Sequence, residues 1–255
     1  MRCVTMAAWG ALAGLIFMIP LSSVAWDDHM GKPRRQVIES QNRRLAATVD
    51  RPVYIPPQRG APGGRVGGSS RGIEDKLPML SVLAPDHTGL TVQEQPSLYW
   101  YVSKSTMYPI ELTIIDNQTI QPLLEGRISG PVEPGVQRVR LADDGVRLSL
   151  GVPYRWFVAL VVDPDNRSRD ILAGGAIERI APPEALRAKL ARAGNAQTPS
   201  IYAEAGLWYD ALSAISDLID AAPNDRILRS QRASLLEQVQ LAEVAQYDTR
   251  SHPAK

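Results

Sequence analysis

Between Leu77 and Ile180 apolar and polar residues trade places over short runs, and beyond Ile180 the apolar spacing lengthens to that of a helix. The runs LPMLSVLAP, GLTVQE, SLYWYVS, YPIELTIID, QPLLEGRIS, VQRVRL, VRLSL, YRWFVALVVD and DILAGGAIERI are β-rich and are punctuated by Pro, Gly, Asp and Asn. This pattern predicts an antiparallel, immunoglobulin-like β-sandwich over residues 77–180. Successive strand side chains point to opposite faces, so Ile110, Leu112 and Ile114 share one face while Glu111 and Thr113 share the other. In RWFVALVV, Trp156, Val158, Leu160 and Val162 line one face and Phe157, Ala159 and Val161 the other. Two apolar faces predict a central strand covered on both sides. ADDG, from Ala142 to Gly145, predicts a tight turn between two strands.

Residues 181–246 change to the helical period. Pro182 and Pro183 stand where a helix starts, and EALRAKLARAG ends it at a glycine. YAEAGLWYDALSAISDLIDAAP places Leu207, Ala211, Ile215 and Leu218 on one stripe, with Trp208, Leu212 and Ile219 beside it. Pro223 stops this helix, and Asn224 or Asp225 caps the next, ILRSQRASLLEQVQLAEVA. The fold class is therefore β plus α, a sandwich followed by a helical hairpin. Residues 247–255 are expected to fray.

The N-terminal part obeys neither period. After Arg2, the uncharged run AAWGALAGLIFMIPLSSVA ends in Ser23-Val24-Ala25, the small-x-small pattern of a cleaved export signal. Cleavage is expected between Ala25 and Trp26, leaving a periplasmic or secreted chain with no transmembrane segment. The single cysteine, Cys3, lies inside that signal. The mature chain then has no disulfide, thiol nucleophile or cysteine metal site. Residues 26–76 predict a basic, Gly/Pro-rich and mostly disordered arm. From Lys32 to Arg71 nine Lys and Arg face only Glu39 and Asp50, although the whole chain is near neutral at +1. That overall balance argues against nucleic acid as a partner.

Candidate chemistry is sparse. Gly63 and Gly68 have the spacing of a phosphate loop, but Ser69 and Ser70 follow where lysine is required. Arg59, Arg65 and Arg71 could hold an anionic glycan or lipid surface, or the segment could lie against the sandwich with its arginines paired to carboxylates such as Glu74 or Asp75. Asp163, Asp165, Asn166 and Asp170 offer oxygen ligands of the type calcium prefers, in a segment that is first of all a hairpin turn. Of His29, His87 and His252, only His87 lies inside the predicted body, and no nucleophile–base set surrounds it. Trp100 and Trp156 are expected in the core. Tyr99 and Tyr101 could form a stacking platform or pack under the helices, and an antiparallel sheet's need for one cover layer favours packing.

PPQRGAPGGRVGGSSRG, GLTVQEQPSLYWYVS, GVPYRWFVALVVDPDNRSRDILAGGAIERI and YAEAGLWYDALSAISDLI together resemble, in this order, a bacterial family known as domain of unknown function number nine-two-eight. The resemblance runs from about Pro56 to about Val239, and members carry a third glycine where this chain has Ser69. It implies an exported protein without assigned activity, cofactor or catalytic residue. The helical end also resembles one tetratricopeptide helix pair, through Gly206, Trp208, Ala211, Leu212 and Pro223. A single unit is short of the three or more that a solenoid needs. The resulting expectation is an exported, non-catalytic accessory or adaptor of the cell envelope that binds another envelope protein. A binding module for glycans or anionic envelope polymers is the alternative, and an envelope hydrolase the third option.

Overall fold

Among the described residues, eight strands and five α-helices follow the order in which the two periods appear along the chain. The computed structural model describes residues 51–57, 65–67, 77–116 and 121–250. The strands are β1 (Leu80–Val82), β2 (Gly89–Thr91), β3 (Ser97–Val102), β4 (Ile110–Asp116), β5 (Leu124–Ile128), β6 (Gly135–Arg140), β7 (Pro153–Leu160) and β8 (Ile171–Arg179). The helices are α1 (Glu184–Arg192), α2 (Thr198–Glu204), α3 (Trp208–Ala221), α4 (Arg226–Gln238) and α5 (Ala242–Thr249). The strands form a three-stranded sheet, β1-β3-β6, and a five-stranded sheet, β2-β8-β7-β4-β5.

All but one of the pairs are antiparallel; β2 lies parallel to β8, so the larger sheet is mixed where an all-antiparallel sandwich was expected. VRLSL is the one predicted strand that does not form. Val146 and Leu148 are buried as the alternation requires. Their N–H groups, however, go singly to Leu141 and Glu94, and Leu150 makes only an isolated bridge to Arg179. An extended segment without a neighbour to ladder against is not a strand. The ADDG turn forms at the end of β6, with Gly145 donating to the Ala142 carbonyl.

Register explains the layers. In the β3–β6 pair Tyr99 lies opposite Arg138 and Tyr101 opposite Val136, so these four share a face, and Trp100 points to the other. The Trp100 face meets the inner face of the larger sheet, where Trp156, Val158, Leu160, Ala173 and Ile177 are buried. The Tyr99 face is covered by α3 and α5: the Tyr99 hydroxyl donates to Ser213 Oγ at 3.4 Å, and Tyr101 stacks edge-on with Tyr247 at 5.2 Å. β7 is the middle strand of its sheet, as predicted. Its cover is one-sided, since Trp156 is buried but Phe157 and Ala159 on the outer face are half-buried.

Trp208 and Tyr209 tie the helices to the sheets. The Trp208 indole donates to the Leu83 carbonyl at 2.8 Å, and the Trp156 indole donates to the Tyr209 hydroxyl at 2.9 Å. Tyr209 in turn donates to the Ala176 carbonyl at 2.9 Å. These polar tips are satisfied inside an apolar layer, which lets three large rings be buried together without a stranded donor.

The helical end has five helices instead of a hairpin. The run expected to form one helix over residues 202–223 is broken at Gly206, which has φ +74°. A Cβ there would stand 2.9 Å from the Ile55 carbonyl oxygen, so both conformation and space call for glycine. The second run breaks at Gln240, also in the left-handed region at φ 61°. Asp225 is the cap that forms before α4, accepting from the Ile227 and Leu228 N–H groups. The expected fraying also fails at Tyr247 to Thr249: α5 runs through Thr249, and Asp248 is buried.

Residues 51–57 depart from the disordered-arm expectation as well. Tyr54 is buried edge-on against Trp208, its N–H donates to Gln238 Oε1, and the Ile55 N–H donates to the Ala203 carbonyl.

Candidate functional site: a polar cleft over a buried carboxylate

After the Gly206 turn, α3 starts at Trp208, and Asp210 falls in its first turn. A carboxylate suits that position, because the first N–H groups of a helix lack intrahelical partners and the helix dipole favours negative charge there. Trp208, Tyr209, Ala211 and Leu212 around it are all buried, and β2 packs across with buried Thr91. Asp210 is consequently only 3% exposed. Its Oδ2 accepts the Val92 N–H at 3.1 Å, whereas its buried Oδ1 has no hydrogen-bond partner. Burial raises the Asp210 pKa to about 6. The Thr91 side chain, the Val92 N–H, Gln93 and its own N–H pull it part of the way back.

This carboxylate lies at a cleft of about 340 Å³. Thr91, Gln93, Gln95 and Ser97 line one wall, from β2 to the start of β3; Thr198 and Tyr202 of α2 and Ser213 and Asp217 of α3 line the other. The lining residues include no Lys, Arg or His. Asp217, at the mouth, is ion-paired with Arg138 at 2.6 Å and is mostly exposed. The set is rich in acceptors, negative when Asp210 is ionised, and studded with hydroxyl and amide groups. It contains one buried acid, Asp210, beside the hydroxyl groups of Thr91, Ser97, Thr198 and Ser213.

The other candidates from the sequence are dispersed. Arg65 is half-buried and donates to the Ala84 and Val239 carbonyls at 3.2 and 2.7 Å. Beside it Val66 bridges to Gly174. Arg59, Arg71, Glu74, Asp75, Ala25, Trp26, His29 and His252 lie outside the described residues. Tyr99 and Tyr101 are buried under the helices and offer no platform, because the cover layer that the sheet needs lies on their face.

Asp163, Asp165 and Asp170 are not gathered around a common point. Asp163 Oδ1 accepts the Asp165 N–H and closes a turn, while Asp170 is held by Arg167 at 2.6 Å. Among the described residues no cluster of three or more potential metal ligands occurs. His87 stacks on Tyr54 with its Nε2 3.3 Å from the Tyr54 hydroxyl and its Nδ1 3.0 Å from the Thr88 carbonyl, so both ring nitrogens have structural partners.

Asp210 is inconspicuous in the sequence because it stands beside the apolar stripe of α3. Its signal was the break it makes there: an acid between Tyr209 and Ala211, where every neighbour is built to be buried. Gln93, Gln95 and Tyr202 carried no signal at all, since only the packing of α2 and α3 against β2 brings them to the same cleft.

A second hollow, of about 430 Å³, lies on the outer face of the larger sheet. Phe157, Ala159 and Leu172 floor it, and Glu111, Arg167 and Asp170 form an ion-paired rim. Among the described residues no helix is long and apolar enough to cross a membrane.

The family described as Domain of Unknown Function (DUF928) matches residues 66–249, and the chain belongs to it. No curated protein matches the chain.

Proposed function

We propose that this DUF928 protein is an exported, non-catalytic accessory protein of the cell envelope, and that it works by holding a ligand in the cleft over Asp210. The carrying observation is the buried Asp210 Oδ1, left without a partner among hydroxyl and amide side chains. A buried acceptor without a partner is costly, so a ligand that supplies a donor recovers that cost on binding. Acid lining favours a polar, donor-bearing ligand such as a glycan over an anionic polymer. Export rests on the apolar N-terminal run and its Ser-Val-Ala end.

A protein partner is the second reading, and the uncovered floor of Phe157, Ala159 and Leu172 favours it. Residues of that face would bind a complementary apolar surface ringed by charge. Hydrogen-exchange protection of the full chain, with and without solubilised envelope glycans, tests the choice. Protection confined to residues 91–97 and 198–217, with the glycan recovered intact, is the expected result. Protection of β7 and β8 by an envelope protein would favour the adaptor, and cleavage of the glycan would revive the hydrolase.

A further inference from the structure

We infer that the cleft recognises an amino sugar, with the ring's primary ammonium placed against the Asp210 carboxylate. The inference rests on the binding reading above and adds the chemical class. Three observations carry it. The unpartnered oxygen belongs to a side chain that is only 3% exposed and lines the cleft, with the oxygen itself buried beneath the cleft surface. An ionised carboxylate buried without a cation is unfavourable, and a charge-assisted hydrogen bond from an ammonium is the strongest relief available to it.

The lining supplies no cation of its own. The titratable groups that line the cleft with Asp210 are Tyr202 on α2 and Tyr209 and Asp217 on α3, while the β2–β3 wall contributes none. Arg138, which pairs with the lining residue Asp217, is committed to Asp217 and Asp220. An anionic ligand would therefore meet unopposed negative charge, and a cationic one would complete the site.

The rest of the wall selects the body that carries the ammonium. Gln93, Gln95, Ser97, Thr198 and Ser213 offer several neutral donors and acceptors, which match ring hydroxyls and would be wasted on a bare alkyl chain. The Tyr202 ring, half-buried in the same wall, adds a flat surface that suits both a sugar ring and a cation.

The test is calorimetric titration of the full chain at about pH 7, with amide NMR shifts to locate binding. The probes are glucosamine, N-acetylglucosamine, glucose and lysine. Glucosamine should saturate the cleft and bind at least about tenfold more tightly than the other three, as expected when a charge-assisted contact is removed or the ring is absent. Asp210→Asn, which keeps size and an acceptor for Val92, should erase that preference. Gln93→Ala, at an exposed position of the wall, should weaken glucosamine by about threefold, a change that a lost neutral hydrogen bond explains. Glucosamine binding should also fall as the pH drops through about 6, where Asp210 takes up its proton.

Equal binding of N-acetylglucosamine or glucose would overturn the ammonium while leaving the cleft a glycan site. Equal binding of lysine would overturn the sugar. Tight glucosamine binding that survives Asp210→Asn would overturn the role of Asp210. Absence of any shift in the cleft with every probe would remove both this inference and the binding reading beneath it.

Discussion

Two carboxylates are buried in the helical layer, and they are buried in opposite ways. Asp248, on α5, is 1% exposed and receives the Arg232 guanidinium in a fork, Nε to Oδ2 and Nη2 to Oδ1, both at 2.6 Å. Ser216 accepts a further bond from Arg232 at 3.2 Å, and Arg229 stands 3.8 Å from the same carboxylate. Asp210, on α3, is 3% exposed; the Val92 N–H reaches Oδ2 and the Thr91 and Gln93 side chains steady its charge, but no cation among the described residues does, and Oδ1 has no hydrogen-bond partner. Equal burial with unequal satisfaction separates an acid that locks helices together from one that faces an opening. The first kind is complete without a ligand.

The largest effect that can break this contrast comes from Asp248→Ala. It leaves the Arg232 charge buried and unpaired, and losing one partner of such a pair costs about 3–5 kcal/mol. Denaturant unfolding should show that loss as a lower midpoint with an unchanged slope. A variant as stable as the parent would mean that the fork is not what holds α4 to α5.

Asp210→Asn should act with the opposite sign. Because the folded pKa of about 6 lies above the ordinary value of 3.8, the folded state binds the proton more tightly than the unfolded one. Stability is therefore full below about pH 4 and is lost as the pH rises through about 6, by about 2–3 kcal/mol at that shift. Asparagine does not ionise, so the variant should gain that amount near neutral pH and nothing at about pH 4. Unfolding curves at the two pH values check this. A loss at neutral pH would place Asp210 with Asp248, as an acid whose charge the fold needs.

Tyr209→Phe should sit between the two regions in size. It removes the acceptor for the buried Trp156 indole and the donor to Ala176, and a stranded buried donor costs about 1–2 kcal/mol. The near-ultraviolet dichroism of Trp156 should change with it. An unaltered signal and midpoint would show that the indole finds another acceptor.

The contrast also marks what the residue order makes legible. Strand positions from β1 to β8, the inward tryptophans and the Asp225 cap follow from local period and turn chemistry. That information is carried by neighbours two to four residues apart. Asp248 was expected in a frayed tail because its partner, Arg232, is sixteen residues away and on another helix. The Gly206 and Gln240 breaks interrupt apolar periods that continue straight through them, so periodicity alone joined helices that backbone conformation separates. The cleft was invisible for the same reason on a larger scale. Its two walls, at residues 91–97 and 198–217, meet only after α3 has packed on β2. Tyr99 and Tyr101 show the intermediate case: alternation placed them on the face away from Trp100, and only the sheet's need for cover decided between a platform and a helix seat.

The smallest effect belongs to the mouth of the cleft. Asp217 and Asp220 both pair with Arg138, whose guanidinium also lies 5.4 Å from the centre of the Tyr99 ring. Each of the two acids is 61% exposed, so water screens the pairs and side-chain ordering offsets much of the attraction. Replacing Asp220 by Asn should therefore move stability by about 0.5 kcal/mol or less. It should leave glucosamine affinity within about twofold, because Asp217 still holds Arg138 away from the cleft. Replacing both acids releases Arg138 beside the opening, and its free charge should then weaken an ammonium ligand while stability changes little. Measured together, the single and double variants separate the acid at the mouth from the acid at the floor. If the double variant binds glucosamine as the parent does, the charge at the opening has no part in recognition, and Asp210 alone carries it.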